Sequence, residues 1–220
     1  MKRSYFVACA ILIVLCELAT LLVYPQLPES VATHWDANGV ANGFSPRWSL
    51  FIFTPALMLG MTALFAALPW LSPRRFEVRS FESTSLYLMV LIVILVGYVH
   101  AVILWKATGG ALDIPRAILG AVSVFMLAMG NVMGKVRRNF FIGIRTPWTL
   151  ASERVWYATH RLAAKAFVVA GLAGLVIAFA GLSVWLWGAV IVASAAIPLV
   201  YSLLLYKRLE RDGQLGGESA

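Results

Sequence analysis

Charge is what this chain most lacks. Of its 220 residues 13% are charged and 61% are hydrophobic, against roughly 25% and 45–50% in an ordinary soluble domain. Such a chain cannot clothe itself in a water-facing surface, so lipid is the solvent for most of its side chains. Cysteine is scarce as well. Cys9 and Cys16 stand seven residues apart in one apolar run, a spacing that offers neither a disulfide framework nor a thiolate metal site. His-Glu-x-x-His, a Gly-x-Ser-x-Gly elbow and a phosphate-binding glycine loop are all missing, which removes the commonest hydrolase and nucleotide-driven readings. No internal repeat is evident, which weighs against an inverted-repeat transporter. No apolar run alternates with period two, so a membrane β-barrel is excluded.

What is present instead is a series of long apolar runs: Ser4–Tyr24, Trp48–Leu71, Thr84–Trp105, Ile114–Met133, Ala164–Leu182 and Val184–Tyr206. Each is near the roughly 20 residues that a helix needs to cross about 30 Å of hydrocarbon. The first run follows Lys2 and Arg3, as a signal peptide would, but it is too long, Glu17 interrupts it, and no small-residue cleavage pattern follows. With the N-terminus inside, all of the 18 basic residues except Arg47, Lys106 and Arg116 fall on the cytoplasmic side, as the positive-inside rule requires. The expectation is an all-α integral membrane protein of the bacterial plasma membrane. It is a multi-pass bundle of six transmembrane helices with both termini cytoplasmic. The net charge of +8 follows the insertion pattern, so it points to membrane lipid as a partner and to no direct nucleic-acid binding.

Small residues should organise the bundle. Ala166, Ala170, Gly174 and Ala178 recur every four residues in the fifth run, and Gly130 and Gly134 repeat that spacing; such stripes let backbones approach closely. Pro115 suits the first turn of its helix, while Pro55 and Pro198 are expected to bend theirs.

Two polar regions break the apolar pattern. On the outer side, Glu17 lies roughly 20 Å into the first helix, where an ionised carboxylate is costly, so it should be protonated, paired or facing a wet cavity. His100, at comparable depth in the third run, is the expected partner. The first outer loop, residues 25–47, carries Asn38-Gly39 and Asn42-Gly43, steps that tolerate positive φ, so it reads as a compact turn-rich cap. His34 and Asp36 flank Trp35 in this loop and are expected to join Glu17 and His100 in one outer cluster for ligand binding or coupling. Histidine and carboxylates suit zinc, which makes His34, Asp36, Glu17 and His100 the metal candidates, although their spacing matches no defined metal motif.

On the inner side lies the segment 130–165. Thr146 before Pro147 is a good N-cap with proline at the first helical position. A helix from Pro147 would set Thr149, Glu153, Trp156 and His160 on one face. Trp148 and Trp156 favour the membrane–water boundary, so a short interfacial helix is expected within residues 134–163. The run Gly130-Asn131…Asn139…Gly143-Ile144-Arg145-Thr146-Pro147-Trp148-Thr149…Trp156…Thr159-His160 resembles the signature of the SdpI family of bacterial membrane proteins. The outer loop, Leu27-Pro28 leading to His34 and Gly39, is similar to a small uncharacterised N-terminal domain often found in that family.

The resemblance implies immunity to a secreted antimicrobial peptide toxin, which becomes the expected partner. It further implies, as in the type system, signalling through a cytoplasmic transcriptional repressor. No cofactor and no catalytic residue is implied. On this reading the ligand-binding or coupling residues are Glu17, His34, Asp36 and His100 outside, with Asn131, Asn139, Arg145, Thr146, Pro147, Trp148, Thr149, Trp156 and His160 as the inner signature. The competing readings are an intramembrane metal-dependent hydrolase and a small transporter, both using the outer groups. The expected plan is a single membrane domain, 1–220. Within it, residues 1–71 hold the first two spans and the outer loop, and 84–206 form an SdpI-like four-span part. Residues 207–220 are expected to form a disordered tail.

Overall fold

Apolar segments of this length have one way to satisfy their backbone groups without water, and that is helix formation. The computed structural model describes residues 2–215. Its long helices are α1 (Lys2–Val23), α2 (Phe53–Leu71), α3 (Glu82–Ala107), α4 (Ile114–Met133), α6 (Glu153–Phe179) and α7 (Val184–Arg211). These six are long and apolar enough to cross a membrane. A β-hairpin, β1 (Ser30–Trp35) and β2 (Ala41–Pro46), joins α1 to α2, and a short helix α5 (Pro147–Ala151) precedes α6.

Helix α6 packs most extensively against α4 and next against α7, and missing side chains explain why. A Cβ on Gly130 would press to 2.9 Å from the Ala164 carbonyl and the Val168 amide, and one on Gly171 would meet the Ser123 carbonyl at 2.6 Å. Gly174 leaves room for the Ser123 hydroxyl and the Trp187 indole, which bond to each other at 3.0 Å. The expected stripe is therefore used at Ala170, Gly174 and Ala178, all buried, with Gly171 making the closest approach.

Several expectations need correction. Pro55 stands in the first turn of α2, where the amide has no helical acceptor, so it breaks no bond and bends nothing; the interior prolines are Pro69 and Pro198. The fifth span starts at Glu153 instead of Ala164. The final helix continues through Arg211, and Arg154 donates to Gln214 at 2.8 Å, so the chain from Lys207 to Gln214 is ordered. The rest of the expected disordered tail, residues 216–220, lies outside the described residues.

The bundle has two chemically distinct ends. At one, Lys2 pairs with Glu82, tying the starts of α1 and α3 together, and the loop before α5 sits beside the start of α6. At the other, the hairpin seats Val31 and Leu27 on Ile103 and Leu104 of α3. Its tip touches α4, since a Cβ on Gly39 would lie 3.0 Å from the Pro115 ring.

Candidate functional site

The segment between α4 and α5 is irregular yet buried at key points, so each backbone group there needs a partner. Asn139, with no solvent exposure, supplies most of them. Its Nδ2 donates to the carbonyls of Arg137 (2.8 Å) and Ile142 (3.0 Å), and its Oδ1 accepts from the amides of Phe141 and Ile142, both at 2.7 Å. One amide side chain thus replaces a turn of secondary structure, using its full hydrogen-bonding capacity.

His160 performs the matching task from α6. Its Nδ1 bonds the Trp156 carbonyl at 2.8 Å, and its Nε2 accepts from the Ile144 amide at 3.1 Å. Because the partners are a carbonyl and an N–H, the tautomer is fixed with the proton on Nδ1. The ring stacks on Trp156 with centroids 4.1 Å apart, and the Trp156 indole donates to the Val136 carbonyl at 2.8 Å. Gly143, at φ +109°, lets the loop pass over this ring, and a Cβ there would collide with Nε2.

Thr146 caps α5 through the Thr149 amide at 3.2 Å, and the Thr149 hydroxyl accepts from the Thr146 amide at 2.8 Å. The expected cap is therefore built, with Pro147 in the first turn. The helix expected to run on from Pro147 to His160 is broken instead. Ser152 is extended and caps α6 by accepting from the Val155 amide at 3.3 Å. Trp156, expected at the membrane boundary, is completely buried, because its indole is a structural donor to the loop. Trp148 is half-buried and donates to the Ser202 hydroxyl at 2.6 Å, pinning α5 to α7. Arg145 is exposed, donating to the Phe140 carbonyl, and Asn131 is exposed on α4.

The sequence reading missed two contributors. Arg138, nearly buried, donates to the Leu150 carbonyl at 3.2 Å, approaches Glu153 at 3.4 Å and lies over the Phe76 ring. Ser202 receives Trp148. Neither could be told apart in sequence from an ordinary interfacial arginine or a helix serine.

At the opposite end the expected four-residue cluster does not assemble. His100 is buried and bonds Thr20 Oγ1 at 2.7 Å and Thr54 Oγ1 at 3.0 Å, so two threonines from α1 and α2 take the place expected for Glu17. Thr20 Oγ1 also donates to the Cys16 carbonyl at 3.0 Å, leaving it the acceptor from His100. His34, exposed on β1, pairs its Nδ1 with Asn42 Oδ1 across the hairpin. The Asp36 carboxylate accepts from the amides of Asn38 and Val40, both at 2.9 Å, and so shapes the hairpin turn in which Gly39 takes φ +79°. No group of three His, Cys, Asp or Glu side chains able to hold a metal occurs among the described residues. His34 and Asp36 bond within the hairpin, and His100 bonds across to α1 and α2.

A cavity of about 660 Å³ between α3, α4 and α6 is lined by Leu91, Tyr98, Gly120, Val124 and Phe179 among others. None of the candidate binding or signature residues lines it, although Arg116 and Ala178 do. The candidate residues therefore lie away from this cavity, whose polar lining is the Asp113–Arg116 ion pair and Tyr98. In the loop cap both histidine nitrogens, the asparagine amide and the Thr149 hydroxyl are spent on backbone partners. That arrangement holds a shape, and it places Phe140 and Arg145 at the surface.

Both caps fall within segments that match known families. Residues 135–202 match the SdpI/YfhL protein family, covering the loop cap, α5, α6 and most of α7. Residues 11–59 match a domain of unknown function, DUF1648, covering Glu17 and the hairpin. The Immunity protein SdpI of Bacillus subtilis (strain 168) is similar over 179 residues at 30% identity, covering 81% of this chain and 83% of the relative. No solved structure matches.

Proposed function

The chain belongs to the SdpI/YfhL protein family of multi-pass bacterial plasma-membrane proteins, and from that premise we propose that it is an immunity protein. It protects its cell against a secreted, membrane-active peptide toxin. The observation that carries this reading is the extent of the similarity: it covers 81% of the chain, and the matched segments 11–59 and 135–202 take in both polar caps. The hairpin faces the cell exterior and the Asn139–His160 cap faces the cytoplasm, in keeping with the distribution of Lys and Arg.

Physical chemistry favours protection by binding over protection by degradation. His100 and His160 are buried with both nitrogens engaged, so neither can serve as the accessible base a hydrolase would need. A second role, relaying toxin presence to a cytoplasmic repressor, is supported by one feature of the loop cap. It holds the exposed Phe140 and Arg145 on a rigidly bonded loop, a suitable docking point for a partner. Such relay requires the toxin to bind two states of the bundle with different affinity.

The test is survival. A toxin-sensitive bacterium expressing the chain is challenged with secreted peptides encoded beside its gene. Growth with the chain and lysis without it is the expected result; equal killing in both strains by every such peptide contradicts the proposal.

A further inference from the structure

Glu17 lies six residues before the end of α1 at Val23, about 9 Å along the axis from the hairpin end. It makes no hydrogen bond or ion pair with any described residue, because His100 is satisfied by Thr20 and Thr54. It is half-buried at the margin of a helix face that the rest of the bundle leaves open. Val14 and Leu21, one turn to either side, are 54% and 61% exposed, and the adjacent Leu18 is 48% exposed. The remaining carboxylates of the long helices stand in a first turn (Glu82, Glu153) or a last turn (Glu210), where water and headgroups reach them. Glu17 alone among these is set inside the hydrocarbon depth.

An ionisable group at that depth is costly without a partner, and such groups characteristically mark contacts made in the membrane. We propose that Glu17 is the docking charge for a second, membrane-inserted helix carrying a Lys or Arg in the half of the bilayer nearest the hairpin. That helix lies along the open Val14–Leu21 face of α1. Charge complementarity selects the occupant. A second copy of this chain would bring Glu17 against Glu17 in a two-fold contact. Its own cations at this end, Arg47, Lys106 and Arg116, stand at or beyond helix ends, above the depth of Glu17. A cationic peptide that inserts as a helix offers both the apolar face and the charge. Taking that peptide to be the toxin rests on the immunity reading; the docking chemistry does not.

The experiment uses the full chain in phosphatidylcholine vesicles with a photoreactive p-benzoylphenylalanine in place of Leu18. The probe is a 21-residue Leu/Ala helix bearing one Lys about six positions from one end, compared with the same helix bearing Gln. Crosslinking is expected to be at least tenfold higher for the Lys helix, to fall to the Gln level with Glu17→Gln, and to persist with Glu17→Asp. Equal yields from the two helices, or a yield indifferent to Glu17→Gln, overturns the proposal. The Gln-helix comparison leaves the protein unaltered at Glu17, so misfolding of a variant cannot mimic the result. Survival of toxin-challenged cells separates the two claims. Protection by the wild-type chain and not by Glu17→Gln at equal membrane level supports the docking charge. Equal protection by both overturns it as the toxin contact. Absence of protection by the wild-type chain counts against immunity alone and leaves the vesicle result to decide.

Discussion

Replacing Asn139 by alanine tests whether the loop cap is held as described. The substitution removes all four hydrogen bonds of a fully buried side chain. It strands the amides of Phe141 and Ile142 and the carbonyls of Arg137 and Ile142. Each stranded group costs about 1–3 kcal/mol if it stays buried and unpaired. Phe140 and Arg145 are exposed beside them, so water can enter once the loop opens, which caps the loss below the simple sum. A net local destabilisation of about 3 kcal/mol follows, or about a 100-fold rise in the open population at 1.4 kcal/mol per decade. Amide hydrogen exchange in lipid nanodiscs reads this directly. Phe141, Ile142 and Ile144 should exchange about 100-fold faster in Asn139→Ala, while amides in the middle of α3 stay unchanged. Asn131→Ala, at an exposed position, serves as the control and should alter none of them. Exchange at Phe141 and Ile142 within threefold of wild type would refute the assignment of Asn139 as the organiser of the loop.

Gly143→Ala combines a positive φ with a collision at His160 Nε2. It should destabilise the cap by about 2 kcal/mol or more and abolish the protection of the Ile144 amide, measurable in the same exchange experiment. His100→Leu keeps most of the volume but removes the bonds to Thr20 and Thr54. Interhelical hydrogen bonds in membranes contribute about 0.6–2 kcal/mol each, so stability to denaturing detergent should fall by about 1–4 kcal/mol, whereas Glu17→Gln should leave it within about 0.5 kcal/mol. Asp36→Ala frees the amides of Asn38 and Val40; about 1 kcal/mol is lost locally, seen as faster exchange confined to the hairpin turn.

The six crossings were legible because lipid leaves the backbone few options, and a run of apolar residues announces its own length. The Thr146-Pro147 cap was equally legible, since capping chemistry is local. What sequence could not supply was partner choice across the bundle. Glu17 and His100 share a depth, which made them a natural pair, but depth says nothing about which face of α1 meets α3. Thr20, one turn beyond Cys16, faces His100 and Glu17 does not. Trp156 reads as an interfacial tryptophan until its indole is seen to hold the Val136 carbonyl inside the cap. Ser152 ended the α5 helix where the spacing of Thr149, Glu153, Trp156 and His160, by four, three and four residues, suggested one continuous element.

Every role proposed here depends on which side of the membrane each cap occupies. In a background lacking Cys9 and Cys16, single cysteines at His34 and at Arg145 are exposed to a membrane-impermeant maleimide in intact cells, then again after permeabilisation. The expected result is labelling at position 34 in intact cells and at position 145 only once the membrane is opened. The reverse pattern, or labelling of both positions in intact cells, would contradict an exterior hairpin, a cytoplasmic loop cap and the functions assigned to them.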